Sequence, residues 1–330
     1  MADIAPLTPL RYDLSKLPKG LGSVVAPPYD VIHTEERDEL AARDPHNVVR
    51  LILPRDEAGG DTEAKYAHAA KQLEAWRDAG VLVRDNEPAF YRYDQTFTPP
   101  GSAGGRAITR RGFLALVKLA PFSDRVVLPH ERTLSGPKED RLRLFRATKT
   151  NLSPGFMLYR DPRGQLDAPL DTGDVLTEFN TPDGIHHVLA KVTGRDAVRA
   201  IVAHIATSSL LIADGHHRYE TAVRYRDEVS EASGSADAGA ASKAEHRFFM
   251  TFLVNGDDPK LVVFPTHRHV HSLPSFSFDA LLEKAEATFT IERLPDSAPA
   301  SVLLAAQKRA SAGGTTFIAA AADARFCAAR

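Results

Sequence analysis

Asp214-Gly215-His216-His217-Arg218 is the densest group of chemically able side chains in the sequence. Four apolar residues, Leu210 to Ala213, precede it, and a helical pattern carried by Tyr219, Ala222, Val223 and Arg226 follows. A strand that turns at a glycine into a helix leaves the helix's first N–H groups without internal partners, at the positive end of its dipole. Such a turn is an anion site. Gly215 lets the backbone approach a ligand closely, and Arg218 can fork two hydrogen bonds onto phosphate oxygens. His216 or His217 can donate or shuttle a proton. In the plainer alternative Asp214 caps the helix, and the histidines and Arg218 are surface polar residues. A metal site is a third option, although a metal-binding helix more often uses a histidine pair at i, i+4 than adjacent histidines.

A second cluster runs His130-Glu131-Arg132-Thr133 and then Gly136-Pro137-Lys138-Glu139-Asp140-Arg141. Lys138 and Arg141 could neutralise phosphate charge, Glu131 could act as a base, and Glu139 and Asp140 could hold Mg²⁺. The same charge density also suits the solvated start of a helix with i, i+4 ion pairs. Smaller candidates are Tyr29-Asp30 after a diproline, Asn47 and Arg50, Asn151 to Pro154, and Thr266-His267-Arg268. Each fits a turn or cap as well as a site. His269 and His271 could pair with His267 on a strand face, without further support.

The elements that must position these residues read as follows. Val24 to Val31 is a short strand broken by Pro27-Pro28, and Thr34 caps a helix through Arg43. Asn47 to Leu53 is a buried strand by its β-branched content. Thr62 caps a helix that places Tyr66, Ala69, Leu73 and Trp76 on one face and stops at Gly80. Strands follow at Ala89 to Phe97 and Gly112 to Leu119, joined by a Gly/Pro-rich hairpin tip. An exposed helix over Lys138 to Thr150 leads to a strand at Gly155 to Arg160. His187 to Val192 is a strand and Arg195 to Ala206 a helix. The strand Ser209 to Ala213 enters the DGHHR turn, and a helix covers Tyr219 to Val229. Glu231 to Ser242 is a low-complexity loop. Strands resume at Arg247 to Val254 and Leu261 to Phe264. Helices near Phe278 to Thr288 and residue 305 and a strand at Thr315 to Ala319 complete the pattern.

The bulk composition narrows the class of function. The 330 residues suffice for two domains, and 43% hydrophobic with 25% charged residues is ordinary globular composition. Net charge is -2, so nucleic acid and acidic membranes, which require a basic surplus, are not the expected partners. One cysteine, Cys327, excludes an internal disulfide and a cysteine-based zinc cluster. The N-terminus lacks the pattern of a secretory signal, and no apolar run reaches membrane-spanning length. The expected compartment is the cytosol.

APPYDVI, NVVRLILP, HERTLSGPKEDRLRLFRATKTNLSP, LLIADGHHRYETA and PTHR occur in the order found in the uncharacterised prokaryotic family called domain of unknown function 1015. The chain resembles that family from about residue 1 to residue 290. The resemblance implies no reaction, and it implies a chain that often continues further at the C-terminus. One departure is Gly155, which stands where the family pattern carries a bulky residue. More distantly, strand–D-G-x-H-R–helix resembles the phosphate-binding signature of the ParB/sulfiredoxin-like superfamily, with its partition proteins, sulfiredoxin and free-serine kinases. That resemblance makes Gly215, His216, His217 and Arg218 the phosphate loop. Sulfiredoxin chemistry needs a cysteine where this turn has histidine, and the partition role needs a helix-turn-helix and a basic surface that are not evident.

The expected fold is α+β, a mixed β-sheet flanked by helices with a ParB/sulfiredoxin-like core around the DGHHR turn. The expected domains are 1–272, with a flexible loop at 231–242, and a smaller α/β segment, 273–330. The expected function is a nucleotide-dependent phosphotransferase on a small metabolite, such as the amino acid serine, using ATP or ADP with Mg²⁺. Glu131, Asp214, His216 and His130 are the catalytic candidates. Gly215 to Arg218 with Lys138 and Arg141 hold phosphate, and Tyr29, Asp30, Arg132 and Arg268 meet substrate. The alternatives are a nucleotide- or phosphometabolite-sensing protein without turnover and a metal-dependent hydrolase.

Overall fold

The computed structural model of the chain describes residues 1–55, 63–99, 105–131, 135–232, 244–264 and 267–330, with the backbone alone at 135–137. The chain divides into two compact units, Met1–Val263 and Phe264–Arg330. In chain order the strands of the first unit are β1 (Ile4–Ala5), β2 (Leu10–Tyr12), β3 (Leu82–Arg84), β4 (Phe90–Phe97), β5 (Ile108–Lys118) and β6 (Val127–Leu128), followed by β7 (Gly155–Tyr159), β8 (Asp174–Asn180), β9 (His186–Val192), β10 (Leu210–Asp214) and β11 (Phe248–Asn255). Its helices are α1 (Thr34–Arg43), α2 (Val49–Ile52), α3 (Ala64–Asp78), α4 (Ser135–Thr148), α5 (Asp167–Asp171), α6 (Arg195–Ile205) and α7 (His216–Ala232).

Alternation along β5 shows why one sheet organises this unit. Phe113, Ala115 and Val117 enter the main core on one face, while Leu114 and Leu116 pack with Tyr91 and Leu189 on the other. A strand apolar on both faces belongs in the middle of a sheet. Accordingly β5 is interior in the order β6-β10-β7-β11-β5-β4-β9-β8, with β1 also paired to β5. Neighbours are antiparallel except for β6 with β10 and β7 with β11. Helix α6 buries Ala197, Ile201 and Ile205 in the main core, and α7 adds Tyr219 and Ala222. The fold is therefore α+β, with a large mixed sheet flanked by helices.

Helix α3 buries Tyr66, Ala69, Leu73 and Trp76, the stripe its spacing requires. Three expected strands are absent. Val24 to Val31 runs irregularly into a 3-10 turn at Tyr29–Val31, because Pro27 and Pro28 carry no ladder donors. Asn47 to Leu53 forms the helical turn α2. The Asn47 side chain accepts the Val49 N–H at 3.0 Å, and its amide donates to Ser23 O at 2.8 Å and Val25 O at 3.1 Å. That side-chain capping favours a helix start, and a short apolar run fits either structure. Leu261 to Phe264 likewise has no regular structure. The edge strand β8 was not anticipated, because its half-exposed DVLTEFN sequence lacks an apolar run. The hairpin tip, Thr62 and the low-complexity stretch from residue 233 lie outside the described residues.

The second unit holds α8 (Phe278–Ala285), β12 (Ile291–Leu294), α9 (Ala300–Ser311), β13 (Phe317–Ala320) and β14 (Phe326–Ala329). Its antiparallel sheet has the order β12-β14-β13. Ser277 caps α8 by accepting the Ala280 N–H, and Phe278 and Leu282 pack on the buried Cys327. Burial pushes the Cys327 thiol pKa up. No helix among the described residues is long and apolar enough to cross a membrane.

Candidate functional site

Three chain segments remote in sequence meet at one end of the sheet because of strand direction. β6 and β10 run parallel, with Leu210 opposite Val127 and Leu211 opposite Leu128. Both chains therefore leave the sheet on the same side, which sets His130 beside Ile212 and the DGHHR turn. β7 is antiparallel to β10, with Asp214 opposite Phe156, so Asn151 to Pro154 arrive at that same end just before β7. Carboxyl ends of neighbouring parallel strands are where open sheets present binding residues.

The turn rests on Gly215, whose φ of 93° is the left-handed region that side chains rarely adopt. A Cβ there would lie 3.1 Å from Nε and 3.2 Å from Nη2 of Arg218, so the guanidinium sits directly over the glycine. Arg218 donates to Pro154 O and to the Asp214 carboxylate. Helix α7 begins at the next residue, His216, and its first-turn N–H groups and dipole favour an anion.

His216 is 3% exposed and joins both sides of this end. Its Nε2 accepts the backbone N–H of His130 at 3.3 Å, and its Nδ1 lies 3.4 Å from Glu131 Oε1. That pattern sets the proton on Nδ1. Burial, then the neighbouring His130, push the His216 pKa down against the opposing pull of Glu131. His130 packs edge-on against it, with ring centroids 4.6 Å apart. Its own Nδ1 is 2.7 Å from Ile212 O, an acceptor, so Nδ1 carries the proton and the Nε2 lone pair of this exposed side chain can take another.

The other expected site residues have more varied places. Lys138 pairs with Glu220 at 2.5 Å, linking α4 to α7. Glu139 faces Arg143, Arg146 and Arg224. Asp140 accepts from Arg141 and Tyr66 and pairs with Lys65 at 3.2 Å. Burial pushes the Asp140 pKa up, but the Arg141 charge and these hydrogen bonds outweigh it and hold the group at about 2. Arg141 is buried, donates to Ile52 O at 2.5 Å and lies 4.1 Å from the centre of the Tyr29 ring. Burial raises the Tyr29 pKa against the charge of Arg141. Asp30 is exposed, and Arg268 is an exposed residue of the second unit. Arg132 lies outside the described residues. No group of three or more His, Cys, Asp or Glu side chains placed to hold a metal occurs among the described residues.

Behind Arg218 lies a partly open pocket. Tyr29, Ile52, Arg141, Asn151, Arg218 and Thr221 all line it. Four of the motifs in the sequence, APPYDVI, NVVRLILP, the HERT-to-NLSP stretch and LLIADGHHRYETA, thus contribute to a single cavity. Thr221 was not picked out from the sequence. A threonine within a helix carries no local mark, and only its place one turn past Arg218 brings it to the wall.

The architecture defines an α+β protein with a glycine turn, two interlocked histidines and an arginine-walled pocket at one sheet end. The chain matches the family model described as Protein of unknown function (DUF1015) over residues 4–323 and belongs to that family. No curated protein and no solved structure matches it. The likeness of the turn to the ParB/sulfiredoxin-like superfamily remains one of motif.

Proposed function

We propose that the protein is a nucleotide-dependent phosphotransferase acting on a small hydroxyl-bearing metabolite in the cytosol. The observation that carries this reading is the meeting of His130 and Glu131 with His216 at the first turn of α7. An anion-binding turn and a proton acceptor then stand at one place, as phosphoryl transfer requires. The nucleotide's phosphates lie against the first-turn N–H groups and Arg218. The acceptor hydroxyl gives its proton to Nε2 of His130 while its oxygen bonds to the terminal phosphorus. The bond from that phosphorus to the bridging oxygen breaks, and the shortened nucleotide leaves. Glu131 and His216 keep His130 in register. Lys138 and Arg141 act at one remove, Lys138 by tying α4 to α7 and Arg141 as part of the pocket wall. Glu139 and Asp140 are committed to basic partners and do not fit a metal, so Mg²⁺ enters as the nucleotide's counter-ion.

The test incubates the protein with ATP or ADP and a panel of hydroxyl-bearing metabolites, including serine, and looks for a phosphorylated product by mass spectrometry. Arg218→Ala should abolish nucleotide binding in calorimetry while the circular dichroism spectrum is retained. Unchanged nucleotide affinity in that variant sinks the reading. Nucleotide-induced thermal stabilisation without product from any acceptor would favour a sensing protein instead.

A further inference from the structure

The pocket behind Arg218 has a chemistry that phosphate binding does not use. Ile52, Leu144, Phe145, Leu152 and Phe249 give it mostly apolar walls. Its two guanidinium groups are each matched by an aspartate, Arg141 by Asp140 and Arg218 by Asp214. Arg141 is therefore not left over for a carboxylate, and Arg218 lies over the glycine turn, where the proposed phosphates sit. Two polar atoms of lining residues are buried without a hydrogen-bond partner, Oδ1 of Asn151 and Oγ1 of Thr221. Thr221 is 4% exposed. Buried polar atoms are nearly always paired, so two exceptions in one wall mark a place where a ligand supplies the partners.

The required partner is specific. A carboxamide oxygen only accepts, so Asn151 needs an N–H donor, whereas the Thr221 hydroxyl can donate to a ring nitrogen. The body between must be flat or compact, apolar and uncharged. We propose that this pocket holds the adenine ring of the nucleotide, its amino group donating to Asn151 and the adjacent ring nitrogen accepting from Thr221. That the ring belongs to a nucleotide rests on the phosphotransferase reading; the preference for an amino-bearing ring rests on the pocket alone.

Calorimetry with three probes separates the two. Adenosine should bind the wild-type protein about tenfold tighter than purine riboside, the same ring without the amino group. Asn151→Ala should bring that ratio close to one. Thr221→Val keeps the side-chain shape and should weaken both nucleosides about equally, since both carry the ring nitrogen. It also stands as the readout if a melting curve shows that Asn151→Ala does not fold. A wild-type protein that binds the two nucleosides equally, or binds neither, overturns the adenine pocket. Pyrophosphate is titrated separately. Binding of pyrophosphate without preference for adenosine defeats the pocket assignment alone. Preference for adenosine without pyrophosphate binding supports the pocket and defeats the phosphate site.

Discussion

The imidazole of His216 accepts the backbone N–H of His130 across 3.3 Å, so one buried ring joins the end of β6 to the first turn of α7. The bond orients the residue after Pro129 and leaves the His130 side chain bound to Ile212 O on one nitrogen only. Proton transfer by a positioned imidazole is worth about 10²–10⁴ in rate. His130→Ala should therefore cut phosphoryl transfer by a factor in that range, while the nucleotide dissociation constant stays within a few-fold. Initial rates and calorimetry on the same preparation check both halves. A rate loss smaller than tenfold would move the proton acceptor elsewhere.

Acid should weaken the fold partly through His216. Burial and His130 hold its folded pKa below the ordinary histidine value. Above about pH 6.5 both folded and unfolded forms are neutral and contribute no pH dependence. As pH falls below that, the unfolded chain takes the proton first, and stability declines until the folded pKa is reached. Melting temperatures between pH 7.5 and 5 should fall less steeply in His216→Asn than in the wild type. His187 and His246, also pushed down by burial, add to the slope in both proteins, so the difference is the readout.

Gly215→Ala should cost both stability and binding. Its φ of 93° is strained for alanine, and the new methyl group would meet the Arg218 guanidinium at 3.1–3.2 Å. A residue forced into such a conformation costs about 1–3 kcal/mol. Displacing Arg218 should also weaken the proposed phosphate grip. Denaturant midpoints and nucleotide titration should move together in this variant, and unchanged affinity would detach Arg218 from the ligand.

Asn47→Ala should destabilise the first unit by about 2 kcal/mol or more, because it leaves Ser23 O, Val25 O and the Val49 N–H without this partner. These bonds hold the segment that carries Tyr29 to the pocket. Urea unfolding measures the loss. A change below about 0.5 kcal/mol would show that water replaces the side chain.

Period and punctuation made some elements legible. The Tyr66, Ala69, Leu73 and Trp76 stripe of α3 repeats every three or four residues, and one face of a helix is buried as a unit. The β10–turn–α7 unit was readable for a similar reason, since an apolar run, a glycine and a helical pattern each constrain the backbone locally. Asn47 to Leu53 resisted because four to seven apolar residues satisfy a strand and a helical turn equally. Its outcome depended on where Ser23 and Val25 would place their carbonyls. β8 was hidden because an edge strand half in solvent has little hydrophobic pattern to show.

Residue chemistry and local backbone preference alone determined that a glycine turn with two histidines and an arginine would open a helix. They also determined that the second cluster carried acids, bases and cations. Tertiary structure decided which of those groups remained near the turn. Parallel pairing of β6 with β10 brought His130 and Glu131 to His216, while helix packing tied Lys138 to Glu220 and Glu139 to three arginines. A side chain's type sets what it can do, but only the partner that folding places within hydrogen-bond reach, together with burial, sets what it is left to do.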